Sequence, residues 1–121
     1  MSEPFALIIE DDEDLGTVFS AALQAAGFEV ELIQDGRVAL EWLAKTVPDV
    51  VVLDLHLPSV AGVEIFRDIR IDERLKNTHI VIVTADWDLA RVMEDQVTFT
   101  MLKPINYHQL RDLTARLHPQ K

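Results

Sequence analysis

Along the chain, short apolar runs alternate with segments whose apolar residues recur every three or four positions. Phe5-Ala6-Leu7-Ile8-Ile9, Val50-Val51-Val52-Leu53 and Ile80-Val81-Ile82-Val83 are continuous apolar runs, the signature of strands buried on both faces. Phe28-Glu29-Val30-Glu31-Leu32 alternates apolar with polar, which suits an edge strand. Val97 to Leu102 makes a fifth strand. Between these lie helical stripes: Leu15, Val18, Phe19, Ala22, Leu23 and Ala26 follow the spacing of a buried helix face. Gly27 is placed to end that helix in the left-handed conformation. Asp35-Gly36 marks a turn before a second helix, with Ala39, Leu40 and Leu43 inward, and Pro48-Asp49 closes it. Gly62 precedes a third helix with Val63, Phe66 and Ile69 inward, followed by a charged stretch from Asp72 to Asn77. Leu89, Val92 and Met93 make a short fourth helix. Asn106, with Gln109 three residues on, has the form of a capping box ahead of a last helix carrying Leu110, Leu113 and Leu117.

Strands alternating with helices imply an α/β fold with a parallel sheet covered on both faces. The expected order is 2-1-3-4-5, the doubly wound, flavodoxin-like arrangement of five strands. At 121 residues the chain fits a single domain over 1–121, its core at about 5–117. Cysteine is absent, which removes disulfides, thiol nucleophiles and cysteine metal sites. No apolar stretch approaches the ~18 residues that span a bilayer, and the first residues lack the basic and apolar regions of a signal peptide. Neither a membrane partner nor an exported location is expected. A formal net charge of −10 repels nucleic acid phosphates, so direct nucleic acid binding by this chain is not expected either.

The chemistry concentrates where the strands end. The first run breaks into Glu10-Asp11-Asp12, the third ends on Asp54, the fourth on Thr84, and the fifth on Lys103-Pro104. Residues just past the C-terminal ends of parallel strands line the ligand crevice. Several carboxylates and one lysine gathered there would form a site for a divalent cation and a phosphoryl group. Glu10, Asp11 and Asp12 are also consistent with ordinary helix-capping acids, Lys103 with a surface cation, and Thr84 with a plain strand end. Asp54 resists such a reading, because four aliphatic residues lead into it without a turn residue.

On these motifs (Ile8-Ile9-Glu10-Asp11-Asp12, Asp54-Leu55-His56-Leu57-Pro58 with Gly62, Thr84-Ala85 and Lys103-Pro104) the chain resembles the receiver domain of bacterial two-component response regulators, from about Phe5 to Leu117. The resemblance implies a phosphoacceptor at Asp54 and a Mg²⁺ site built from Asp11, Asp54 and the His56 backbone carbonyl, with Glu10 acting through water. It implies that Lys103 pairs with Asp54 before phosphorylation and with a phosphoryl oxygen after it, and that the Thr84 hydroxyl and Ala85 amide assist. It also implies a cis Lys103-Pro104 bond. The phosphoryl group would come from a sensor histidine kinase or a histidine phosphotransfer protein in the cytoplasm. Output would run through contacts with another protein, or through a homodimer formed on phosphorylation. Such a domain is a switch with weak self-dephosphorylation, not an enzyme in the usual sense.

Two alternatives accompany this reading. One is an aspartyl phosphatase acting on small phosphoesters, disfavoured because His56 stands where such enzymes commonly carry a second acid. The other is a degenerate receiver used only for docking, disfavoured by the full set of Glu10, Asp11, Asp54, Thr84 and Lys103. The chain also departs from the family pattern. The stretch from Thr84 to Lys103 is short, which predicts a truncated or irregular fourth helix. Thr100 stands three residues before the lysine, where the family usually places an aromatic switch residue. Phe99 beside it points to the opposite face of its strand and is expected in the core.

Overall fold

The computed structural model describes residues 3–120. Five parallel strands, β1 (Phe5–Ile9), β2 (Glu29–Ile33), β3 (Val50–Asp54), β4 (His79–Thr84) and β5 (Phe99–Leu102), lie in the order 2-1-3-4-5. Five helices, α1 (Glu13–Ala25), α2 (Gly36–Lys45), α3 (Gly62–Ile71), α4 (Trp87–Met93) and α5 (Tyr107–Ala115), connect and follow them. The expected topology is the observed one.

Strand alternation divides the core in two. Leu7, Ile9, Val51, Leu53, Ile80 and Ile82 face the side of α2 and α3. Their neighbours Ala6, Ile8, Val50, Val52, Val81 and Val83 face α1 and α5. All of these are fully buried, and burying each larger aliphatic side chain is worth roughly 1.5–3 kcal/mol. Burial on both faces is why the central strands carry no polar alternation, whereas edge strand β2 does.

The helix boundaries follow local chemistry. Asp12 caps α1 by accepting from the Leu15 amide, and Asp35 caps α2 by accepting from Arg37, so Gly36 is the first helical residue and not the end of a turn. Gly27 takes a φ of 101°, a conformation open to glycine, just past the end of α1. The capping box of Asn106 and Gln109 is present with both of its hydrogen bonds. The fourth helix is short, as expected: seven residues followed by one 3₁₀ turn, Glu94–Gln96.

Several positions differ from the sequence reading. Val18 is 36% exposed and Val92 is 69% exposed, so neither belongs to the buried stripe. Ile65, absent from that reading, is fully buried on α3. The last strand begins at Phe99, not Val97, because Thr98 uses its side chain to accept from the Ile80 amide. Phe99 does face α1 and α5, opposite Thr100, but it is only half-buried there. The sheet ends at β5, so no further strand covers that ring.

The strand order decides where the chemistry lies. β1, β3, β4 and β5 are consecutive neighbours and run the same way. Glu10, Asp54, Thr84 and Lys103 therefore emerge side by side at one end of the sheet.

Candidate functional site

Glu10 follows β1 directly, and its amide donates to the Ile33 carbonyl of β2, so the residue is locked into the end of the sheet. Its carboxylate is fully buried, and Oε2 accepts from the Asp12 amide at 3.2 Å. Asp54 ends β3 and is 3% exposed. Its Oδ1 accepts from the His56 amide at 3.1 Å. Carboxylate oxygens of Glu10, Asp11 and Asp54 lie within 4.8 Å of one another, with Asp11 exposed and the other two buried. Three hard oxygen donors with one side open to water match what Mg²⁺ takes, since it favours oxygen ligands and retains waters.

Lys103 reaches in from β5, its amide held by the Thr84 carbonyl at 2.8 Å. The ammonium sits 3.0 Å from Glu10 Oε1 and 3.7 Å from Asp54 Oδ2. The expected pairing with Asp54 is therefore present but is the longer of two contacts. Glu10 takes the closer one, a partner that the sequence reading did not assign. That contact satisfies the charges without hydrogen-bond alignment, which leaves Glu10 Oε1 a buried acceptor with no hydrogen-bond donor.

Burial of Asp54 pushes its carboxyl up from 3.8 to about 7. The negative charge of Glu10, and a proton shared with it, push the same way; the His56 amide and the Lys103 ammonium oppose the rise. Desolvation and a like charge both disfavour the ionised acid. A cation placed among these carboxylates would relieve both.

Thr84 ends β4 and is fully buried. Its Oγ1 accepts from the Asp86 amide at 3.0 Å. The same Asp86 caps α4 through Oδ1, which accepts from Leu89. Its Oδ2 lies 3.8 Å from His56 Nε2. Asp86 thus links the loop after Asp54 to the start of α4, a role the sequence reading missed because nothing in the strand pattern distinguishes it from an ordinary capping acid. The His56 side chain is 61% exposed, so it borders the site from the solvent side. Ala85 is exposed in the loop between Thr84 and Asp86. Asp12 turns away to cap α1 and contributes only its amide to Glu10. The Lys103-Pro104 bond is cis, as the resemblance implies.

Behind Asp54 the chain turns sharply. The Gly62 amide donates to the Leu55 carbonyl at 3.1 Å. A Cβ at Gly62 would collide with the Asp54 carbonyl oxygen and stand 2.5 Å from Leu55 Cα. Only a residue without a side chain lets α3 begin this close to the end of β3.

Residues 6–115 match the family model of the response regulator receiver domain. The chain belongs to that family. Among curated relatives, the receiver is 31% identical over 121 residues to the probable methanogenesis regulatory protein FilR2 of Methanothrix harundinacea, covering 90% of this chain and 78% of that one. It is 32% identical over 114 residues to the DNA-binding response regulator MtrA of Mycobacterium tuberculosis, covering 92% of this chain. The receiver spans only 47% of MtrA. Among solved structures, the chemotaxis response regulator CheY4 of Vibrio cholerae superposes with a TM-score of 0.83 at 27% identity, covering 96% of this chain and 99% of that one.

Proposed function

We propose that this receiver takes a phosphoryl group onto the carboxylate of Asp54 from a phosphorylated histidine of a sensor kinase or phosphotransfer protein, and passes the change to another protein. The observation that carries this reading is the convergence of a buried Asp54 with Glu10, Asp11, Lys103 and Thr84 at the ends of four adjacent strands.

In the transfer, the bond from phosphorus to the donor imidazole nitrogen breaks as a bond forms to an Asp54 oxygen; the donor ring carries a proton on its other nitrogen, so the P–N electron pair leaves with it as neutral imidazole. The product is an acyl phosphate, the aspartyl route to a covalent intermediate. The all-oxygen donor set of Glu10, Asp11 and Asp54 fits Mg²⁺. Asp11, Asp54 and the His56 backbone carbonyl would hold it, with Glu10 acting through water. When bound, Mg²⁺ neutralises charge on the phosphoryl oxygens, the main need in phosphoryl transfer. The His56 amide orients Asp54 by holding Oδ1. Lys103 lies near Oδ2 and is placed to pair with a phosphoryl oxygen. Thr84 can offer its hydroxyl proton to another, since that hydroxyl now only accepts, from Asp86. The Ala85 amide is the further donor in this scheme.

The receiver acts as a switch with weak self-dephosphorylation, not a turnover enzyme. It works in the cytoplasm as one domain over 1–121, and no helix among the described residues is long and apolar enough to cross a membrane. Output runs through a protein contact, including a homodimer formed on phosphorylation. The net charge of −10 argues against nucleic acid as a direct ligand of this domain. Incubation with a small phosphodonor and Mg²⁺ tests the reading. One base-labile phosphoryl group should be added to the wild type and none to Asp54→Asn, by intact-protein mass spectrometry. Equal labelling of the two proteins refutes it.

A further inference from the structure

Residues of α3 and α4 line a groove of about 310 Å³. Val63, Phe66 and Ile71 line one wall, and Leu89, Val92 and Met93 the other. Ile71 is 76% exposed and Val92 69% exposed, among the largest exposures of any apolar side chain in the molecule. On α4 the lining residues follow i, i+3, i+4 spacing; Met93 is buried and Leu89 packs on the core, so they floor the groove, while Val92 stands open to solvent. The short α4 ends in a 3₁₀ turn, and Gln96 of that turn lines the groove.

The charges at this groove are the reverse of those of the chain. The molecule carries −10 overall, yet the ionisable side chains lining the groove are two arginines, Arg67 and Arg70. Among the described residues, neither has a carboxylate within ion-pair distance. Arg70 is held in place by the carbonyls of Gln96 and Thr78 and lies 6.0 Å from the centre of the Phe66 ring. It therefore forms part of the wall. Arg67 is exposed on the α3 side and free to meet an incoming group.

We propose that the α3–α4 groove docks an amphipathic helix from a partner protein, one with an apolar stripe flanked by Glu or Asp. An apolar helix face laid between two helices is an established mode of peptide recognition, with anchors at i, i+3, i+4 and i+7. The two arginines select acidic flanks, because complementary charge sets specificity and association rate. A partner rich in Lys or Arg would be drawn to the acidic remainder of the surface. Anionic lipid would meet the same two arginines but be repelled by the acidic molecule around them. The groove makes no use of Asp54, so docking can be measured on the unphosphorylated protein, independently of the phosphoacceptor assignment.

The probe is a synthetic helical peptide with Leu at i, i+3, i+4 and i+7 and Glu at its flanks, beside a second peptide carrying Lys in place of every Glu. Amide chemical shifts of the whole chain are followed during titration with each. The Glu peptide should bind and move the amides of Val63, Ile71, Val92 and Met93. Arg67→Glu and Val92→Asp, both at exposed positions, should each weaken it about tenfold or more, with the melting temperature unchanged. Four results overturn the proposal. The Glu peptide does not bind, or the Lys peptide binds as tightly. Its shifts centre elsewhere, as around Trp87 and Thr100 on the other side of α4. Or Val92→Asp instead abolishes self-association or binding to anionic vesicles and leaves peptide binding intact.

Discussion

Replacing Asp54 by Asn should stabilise the metal-free receiver, and by an amount that depends on pH in a defined direction. The carboxyl is held at about 7 in the fold against 3.8 ordinarily, so the folded chain keeps a proton there that the unfolded chain releases. Stability of the wild type therefore falls as pH rises from about 4 to about 7, with a slope of up to ~1.4 kcal/mol per pH unit, and is flat above that range. A shift of roughly three units corresponds to about 4 kcal/mol at pH 8. Coupling to Glu10 and loss of the Lys103 contact at 3.7 Å reduce the net gain, to roughly 2 kcal/mol. Lys103 keeps its contact to Glu10 at 3.0 Å, and Asn can still accept from the His56 amide. Urea unfolding of the two proteins with chelator present, at pH 5 and pH 8, isolates Asp54 with the Glu10 coupled to it, because titrations elsewhere in the chain cancel in the difference. The Asn variant should lead clearly at pH 8 and much less at pH 5. A difference that does not change with pH, or is larger at pH 5, refutes the burial argument for Asp54.

Other outcomes follow from the same geometry. Asp11→Asn should abolish most of the rise in melting temperature that Mg²⁺ gives the wild type, while leaving the metal-free protein as stable or more so, since it removes one of three clustered charges. Gly62→Ala should cost about 3 kcal/mol by thermal or urea unfolding, because its Cβ meets backbone at Asp54 and Leu55, which cannot yield as a flexible side chain would. Phe99→Ala should cost only about 1–2 kcal/mol, below the ~3–5 kcal/mol of a fully buried Phe, because the ring is half-buried on the edge strand. Hydrogen exchange with and without beryllofluoride should place the activation change in the loop after Thr84 and in α4. Changes centred on Phe99 would show that this residue has taken the switch role that Thr100 is too small to fill.

Much of this could be read from the chain because the sheet is parallel and buried. Continuous apolar runs fixed β1, β3 and β4, and a polar residue directly after such a run has only one place to go. Glu10, Asp54 and Thr84 were legible for that reason, Lys103 by its place before Pro104 at the end of the fifth strand, and strand adjacency brought the four together. What escaped depends on side-chain placement or on neighbours that a single chain pattern does not reveal. The nearer approach of Lys103 to Glu10 than to Asp54 is a matter of where one long, flexible side chain settles between two acids. Asp86 reads as a helix cap, and it is one; its hold on Thr84 comes from its amide, which every residue possesses. Val92 has the spacing of a buried residue, but no element packs over that part of α4. The strand pattern places Phe99 on the correct face but overstates its burial, because the sheet stops at its strand.

The central claim is that Asp54, and no other carboxylate of the acidic cluster, carries the phosphoryl group. Reduction by tritiated borohydride tests it most directly, since an acyl phosphate of aspartate is converted to homoserine while free carboxylates are untouched. After treatment with a phosphodonor and Mg²⁺, peptide mapping should place the label at position 54 alone, and the label should be lost when Mg²⁺ is withheld. Label at Glu10 or Asp11, or the same label at position 54 without Mg²⁺, would contradict the account.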